Sequence, residues 1–446
     1  MIYDFVDINK DINEPMYEQL YSQLKKGIEN KLIEKDERLP SIRSASAELK
    51  VSRTTIENAY FRLCNEGYVE NKPQRGYFVK IPPKDNLSKK IFEKKEEVKI
   101  DYDFSTGSVD ISAIDIPVWK KYVRSALNSE KDIISYGNPQ GEFALRKAIA
   151  SYIYTARGVI SSPENIIVGA GIQQLITILC CIKDKCTVAI ESPGFKQAEK
   201  VFKDFGFNIV HIDISNTPEK VLEQSGAEIY FNIPSMKPKT SAAALHAHRQ
   251  SLMNWLNKSQ DRYIIEDDFN GELKFTARPF PAMQNMDTDR IIYMGSFSKL
   301  LIPSVRIAYA VFPEKVFEKY DKMSSYYNQT ASKVEQIALA NYINDGYLEK
   351  HLRRLKKLYL EKSKVLLKLV NENFADGNAK VLDSSLAILL DVGNKMSDDE
   401  IYEKALRNKI RIQSVHKGVI KLGFAGIVME DMQDAVIRLK STLSGL

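Results

Sequence analysis

A lysine amine set beside ligands for a phosphate is the chemistry that stands out in this 446-residue chain. Ile291-Ile292-Tyr293-Met294-Gly295-Ser296-Phe297-Ser298-Lys299 reads as a short buried strand that stops at Gly295, and Arg306 follows seven positions on. Hydroxyls, exposed backbone N–H groups and a planar guanidinium are what a phosphate takes as partners. A lysine amine next to that phosphate is what the aldehyde of pyridoxal phosphate condenses with, as a Schiff base. Taken alone, Ser-x-Ser-Lys at a strand exit is equally a loop with a solvated lysine.

The strand upstream favours the chemistry. Tyr263-Ile264-Ile265-Glu266-Asp267-Asp268-Phe269 is a second apolar run, and it ends in carboxylates. Pyridoxal phosphate needs an anion opposite its ring nitrogen to keep that nitrogen protonated. Asp267 ends its strand one strand before the lysine strand, and ligands of open parallel sheets bind beyond the carboxyl ends of strands. A helix cap or a solvated loop acid is the plainer alternative for Asp267.

These residues need a sheet to carry them. Apolar runs at 166–168, 187–190, 209–212, 229–233, 263–265, 291–294 and 307–311 alternate with helical segments, which predicts an α/β fold with a mostly parallel seven-stranded sheet covered on both faces. Gly169-Ala170-Gly171-Ile172 follows the first strand and opens a helix, whose backbone N–H groups can meet an anion. Helices are expected at 119–127 and 145–154. A long charged helix near 350–369 reads as a solvated face, and a smaller terminal α/β part has a strand at 419–425.

The first 80 residues have another character. Apolar positions Tyr17, Leu20, Tyr21, Leu24 and Ile28 have helical spacing. Ser41 can cap a second helix that runs to about Leu49, and Ser52 can cap a third that buries Ile56, Ala59, Tyr60 and Leu63. Lys72-Pro73-Gln74-Arg75-Gly76 is a turn between two short strands. Helices joined by a tight turn and followed by a two-stranded wing form a winged helix-turn-helix. Its third helix would offer Ser52, Arg53, Thr54 and Thr55 to DNA, with Arg38, Ser41, Arg43, Lys72 and Arg75 flanking as further contacts. Residues 1–80 hold thirteen basic and thirteen acidic side chains, so DNA must be met by a local patch. The expected domains are a winged helix-turn-helix at 1–80, a charged, extended linker at 81–100 and a globular part at 101–446.

The same residues resemble a known family. Arg38-Leu39-Pro40-Ser41-x-Arg43, Val51-Ser52-Arg53-x-Thr55 and Glu66-Gly67-Tyr68 resemble the GntR-type winged helix. Tyr136-Gly137-x-Pro139-x-Gly141, Glu191-x-Pro193-Gly194-Phe195, Glu266-Asp267-Asp268-Phe269 and Gly295-Ser296-Phe297-Ser298-Lys299-x-x-x-Pro303-x-x-Arg306 resemble the aminotransferase-like half of MocR/GabR-type regulators, and the likeness runs along nearly the whole chain. The resemblance implies a transcription regulator with a fold-type I aminotransferase-like domain that binds pyridoxal phosphate. Lys299 would form the Schiff base, Asp267 would pair with the ring nitrogen, and Phe195 would lie against the ring. Ser296, Ser298, Arg306 and the backbone of Gly171 and Ile172 would hold the phosphate. It also implies a head-to-tail, domain-swapped homodimer. Three departures weigh against efficient transamination: Phe269 replaces a frequent tyrosine, Ile233 to Thr240 replaces a Pro-Ser-His-Gln-x-Pro-x-Gly run, and Lys421 lies near where aminotransferases place an arginine for the substrate carboxylate.

Composition narrows the remaining choices. The chain is 44% hydrophobic and 27% charged with net charge +6, an ordinary globular mix. It shows no signal-peptide pattern and no apolar run of membrane-spanning length. Cys64, Cys180, Cys181 and Cys186 lack disulfide or metal spacing, and His246 and His248 do not share a helix face, so no metal is expected and the compartment reads as cytoplasmic. Trp119 and Trp255 are expected in the core or an interface. Three functions stay open: a regulator that senses a small amine, an amino acid or pyridoxal phosphate; a working aminotransferase with an appended domain; and a regulator whose second half only dimerises.

Overall fold

The structure is a computed structural model that describes residues 3–9, 11–80, 99–105, 107–192, 194–213, 218–236, 241–275, 280–374, 379–382, 386–393, 396–412, 415–416 and 418–443. Nearly all of the charged stretch read as a linker, Pro193, and Lys237 to Thr240 of the departing segment lie outside these residues. The chain divides into two compact units, residues 1–97 and 98–446.

The first unit holds helices α1 (Met16–Glu29), α2 (Ile42–Leu49) and α3 (Arg53–Asn65), then strands β1 (Val69–Lys72) and β2 (Gly76–Val79). Leu20, Tyr21, Leu24 and Ile28 of α1 and Ile56, Ala59, Tyr60 and Leu63 of α3 are buried in one core, at the spacing that the sequence predicts. β1 and β2 pair antiparallel, with Lys72 opposite Gly76. Gln74 takes a left-handed φ of 63° after Pro73, and Arg75 N–H returns to Lys72 O, as in a type II turn.

The second unit is built on a seven-stranded sheet ordered β4-β10-β9-β8-β7-β5-β6. Its strands are β4 (Ile166–Gly169), β5 (Thr187–Glu191), β6 (Asn208–Ile212), β7 (Ile229–Asn232), β8 (Tyr263–Asp267), β9 (Ile291–Ser296) and β10 (Ala308–Val311). β10 pairs antiparallel with β4 and with β9, and the other pairings of this sheet are parallel. Successive residues of one strand enter different cores: Tyr293 packs in one cluster, Ile292 and Met294 in another. Both faces are therefore covered, which is why the strands read as unbroken apolar runs. Trp119 and Trp255 are both core residues.

Beyond this sheet lies a smaller antiparallel one, ordered β11 (Ala379–Leu382), β12 (Ala387–Asp391), β15 (Val419–Gly423), β14 (Val415–His416). β3 (Tyr102–Asp103), near the start of the unit, pairs with β13 (Ile410–Arg411). β15 stops at Gly423, short of Ala425, because Gly423 N–H turns to the carbonyl of Phe104. The helix Tyr347–Asn373 corrects the reading of a solvated charged helix. His351, Leu355, Tyr359, Lys362 and Leu366 form a buried face at helical spacing, with only the rest charged and open.

Candidate functional site

β8 and β9 lie side by side and parallel, with Asp267 opposite Met294. The register brings the carboxylate-bearing end of β8 level with the end of β9, just before Ser296, Ser298 and Lys299. Ser298 N–H and the Ser296 hydroxyl meet at 3.2 Å, and the Ser296 hydroxyl donates to that of Ser298 at 3.1 Å. The chain then passes a short turn, Pro303–Val305, and reaches Arg306 in the left-handed region at φ 52°. A non-glycine residue held there costs of order 1 kcal/mol, and such strain gathers at ligand sites.

Arg306 is aimed at the loop after β4. Its Nη2 lies 3.5 Å from Ala170 O. Gly171 has φ 103°, and a Cβ there would come within 2.6 Å of Arg306 Nη2, so glycine is what lets the guanidinium in. Gly171 N–H is turned to Gly169 O at 2.8 Å, and its contribution is room rather than a donor. Ile172 opens the helix Ile172–Ile182, whose first N–H groups have no partner within the helix. Phe195 caps the helix Lys196–Asp204, which follows β5, and packs at the edge of the same core.

The two chemical groups of the site are both buried. Lys299 is 6% exposed, and burial pulls its amine down to about 8, against a smaller opposing pull from Asp103. Its Nζ donates to Ser108 O at 2.7 Å. Asp267 is 3% exposed; burial, then repulsion from Asp268, raise its carboxyl to about 7. Oδ1 of Asp267 has no hydrogen-bond partner among the described residues.

Behind Asp267 lies a buried polar network that the sequence reading did not single out. Asp268 takes Arg157 Nε at 2.5 Å, Arg157 Nη2 at 3.1 Å and the Tyr293 hydroxyl at 2.7 Å. Glu266 accepts the backbone N–H groups of Met283 and Gln284. Burial followed by repulsion from Asp268 raises both Glu266 and Glu272 to about 7. The one signal for Asp268 was its place in three successive acids at the end of an apolar strand, where alternation turns it away from the face that Asp267 takes.

In the first unit, Ser41 and Ser52 act as helix caps, each accepting a backbone N–H three residues on, from Ser44 and Thr55. The Ser52 and Thr55 hydroxyls lie 2.8 Å apart, so Thr55 is drawn into the cap. Arg53 and Thr54 are left exposed at the start of α3. Arg38, Arg43, Arg53 and Arg75 are exposed and make no ion pair among the described residues. Arg38 crosses to the wing, where it bridges to Phe78 and would touch a Cβ on Gly76 at 3.2 Å. Lys72 is partly spent, with its amine 4.8 Å above the Phe78 ring and 3.9 Å from Glu70. Glu18 and Glu66 are taken up by Arg62 and Lys25 between α1 and α3.

Comparison with known proteins agrees with both units. Residues 16–79 match the model of bacterial regulatory proteins of the gntR family, and residues 100–439 match aminotransferase class I and II. The uncharacterized HTH-type transcriptional regulator YdeL of Bacillus subtilis is 34% identical over 438 residues, covering 94% of each chain. The chain belongs to the MocR-type transcriptional regulators. The probable rhizopine catabolism regulatory protein MocR of Rhizobium meliloti is 28% identical, over 93% of this chain and 91% of that one. An archaeal alanine:glyoxylate aminotransferase superposes with a TM-score of 0.69 at 20% identity, over 80% of this chain and 94% of that one.

The aminotransferase family implies pyridoxal phosphate as cofactor, and the residues of this MocR-type chain fit it. An orphaned carboxylate oxygen on Asp267, a buried amine on Lys299, and an arginine aimed at a side-chain-free glycine are the donor set that this group requires.

Proposed function

We propose that this regulator binds promoter DNA through Arg53 and its neighbours, takes pyridoxal phosphate on Lys299, and alters DNA binding when a small amine, an amino acid or pyridoxal phosphate itself arrives. The observation that carries the reading is the buried Lys299 amine, lowered to about 8, in one loop with Ser296, Ser298 and Arg306. Pyridoxal phosphate, when bound, supplies an electrophilic carbonyl that captures amines. Lys299 offers a partly neutral, nucleophilic nitrogen near physiological pH. Asp267 offers a carboxyl raised to about 7, whose charged form a cation on the ring nitrogen would favour. Ser296, Ser298, Arg306 and the Ile172 N–H are the ligands for the phosphate, and Phe195 is the face for the ring. An effector signals only if it binds two conformations unequally.

Further parts of the reading go with it. The working domains are 1–80 and 101–446 with a linker at 81–100. The chain acts as a homodimer with exchanged winged modules, a reading supported by the exposure of Ile134 (83%), Tyr136 (87%) and Tyr326 (85%), bare apolar surface that a second copy would cover. Its compartment is the cytoplasm.

The test is an absorbance scan of the purified chain with added pyridoxal phosphate. A visible band is expected, Lys299→Ala is expected to abolish it, and a colourless protein would overturn the reading. Operator affinity measured with candidate amines then finds the effector. Coverage of 94% of an aminotransferase favours a second reading, a working enzyme. Phe269 and Lys421 weigh against it, and steady-state keto-acid production from amino donors is expected to be little or none.

A further inference from the structure

The Lys299 amine is held by a part of the chain with its own anchors. The carbonyl that it donates to, at 2.7 Å, is that of Ser108. Residues 107–110 form a strap that follows β3, and β3 is sewn into the C-terminal layer by its pairing with β13. Phe104 N–H donates to Arg411 O at 2.8 Å, and Phe104 O accepts Gly423 N–H at 2.7 Å. The Ser108 hydroxyl donates to Asp103, which Arg411 also meets. The strap lies flat on the chain just beyond β15, where a Cβ on Gly426 would come within 2.5 Å of Ser108 Cβ.

The far end of the strap is fixed more firmly. Asp110 forms an ion pair with Lys362, which is 1% exposed on the long helix. The Lys362 amine also donates to the carbonyls of Ala425 and Ile427. Two buried charges of this kind hold position because removing either leaves the other unpaired. The strap therefore joins two bodies. Both its ends belong to the long helix and the C-terminal layer, and its middle carbonyl holds an amine from the end of β9.

We propose that the strap is a latch: Ser108 O and the cofactor's carbonyl carbon compete for the Lys299 amine, and the outcome is passed to the C-terminal layer. The proposal rests on Lys299 taking pyridoxal phosphate. When the amine captures a carbonyl carbon, a carbon–nitrogen double bond forms and the carbonyl oxygen leaves as water with two hydrogens from nitrogen. The nitrogen then has at most one hydrogen, directed by its new bond, and the Ser108 contact is given up. An amine effector that takes over the same carbon returns Lys299 as a free amine, and the latch closes again. Effector arrival is thereby converted into movement of the strap, without any contact between effector and strap.

Hydrogen exchange of the full chain, read by mass spectrometry beside the visible spectrum, tests this. Peptides covering 107–112 and 419–427 are expected to exchange at least severalfold faster once pyridoxal phosphate produces its band. Lys299→Ala, which removes the donor, is expected to exchange fast there without cofactor. Lys299→Arg, which keeps a donor and cannot capture a carbonyl, is expected to stay slow with or without it. Unchanged exchange in the strand β8 peptide serves as the check that each variant is folded, and the wild-type comparison decides alone if one is not. A band without faster strap exchange overturns the latch and leaves the cofactor reading standing, as does slow exchange in folded Lys299→Ala. No band at all overturns both.

Discussion

Arg157 and Asp268 meet in a two-point ion pair, Nε to Oδ2 at 2.5 Å and Nη2 to Oδ1 at 3.1 Å, one residue beyond Asp267. The pair is almost fully buried. Burial alone would lower the arginine's affinity for its proton, but the adjoining Asp268 more than restores it. Removing one partner leaves the other charge stranded, at a cost of about 3–5 kcal/mol. Arg157→Gln is expected to lose that much stability in denaturant unfolding. The double variant with Asp268→Asn is expected to recover part of it. A single variant within about 1 kcal/mol of wild type would show that the pair is relaxed or hydrated.

Under the proposed function, Lys299 sets a pH dependence for cofactor capture. Its amine is lowered to about 8 by burial, so its neutral, nucleophilic fraction grows as pH rises through about 8 and is then complete. An unperturbed lysine, near 10.4, would keep gaining up to that value. The initial rate at which colour develops with pyridoxal phosphate is expected to climb between pH 7 and 8.5 and level off. A rate that still rises tenfold per unit above pH 9 would contradict the burial of this amine.

The elements that carry the site were legible because each obeys a local rule. β8 and β9 are apolar runs that end in polar residues, and Ser41 and Ser52 precede helical periodicity. Gly171 was legible as a glycine before a helix, but it reads in the sequence as an N–H offered to an anion, whereas that N–H turns to Gly169 O and the glycine makes room for Arg306. What was not legible depends on partners distant in sequence. Lys362 lies in a charged helix and looks solvated until Asp110, about 250 positions earlier, is brought against it. Ser108 carries no chemical signal at all, since the atom that meets Lys299 is a backbone carbonyl. Asp268 was visible as an acid, but its partner Arg157 was not, because an arginine at the end of an amphipathic helix ordinarily faces water.

Glu266, Asp267 and Glu272 make the cofactor-free protein less stable as pH rises. Each is raised to about 7, chiefly by burial, so the folded state holds protons that the unfolded chain releases near pH 4. Stability from these groups is full below about pH 4 and falls as pH climbs towards 7. His351 opposes them: burial, then Arg354, lower it to about 4, so it favours folding as pH rises to 6.5. Three groups outweigh one, and the unfolding temperature is expected to be higher at pH 5.5 than at pH 7.5. Glu272→Gln is expected to flatten that decline. A profile that rises from pH 5.5 to 7.5 in both proteins would show these carboxyls to be ionised in the fold.

Ser52 and Arg53 are neighbours with separable roles, and mutation can tell them apart. Ser52 accepts Thr55 N–H at 3.1 Å as the cap of α3, and losing such a cap costs about 1 kcal/mol. Ser52→Ala is therefore expected to lower the unfolding midpoint of the winged module. Arg53 is exposed and has no ion pair among the described residues. Arg53→Ala is expected to leave stability within about 0.5 kcal/mol. It is expected to weaken binding to a fragment of the protein's own promoter by roughly 1–3 kcal/mol if it reads a base edge. If it meets a phosphate instead, the loss is uniform across sequences and the slope of log affinity against log salt falls by about one. Unchanged affinity and unchanged slope together would remove Arg53 from the interface and move the contact to Arg38, Arg43 or Arg75.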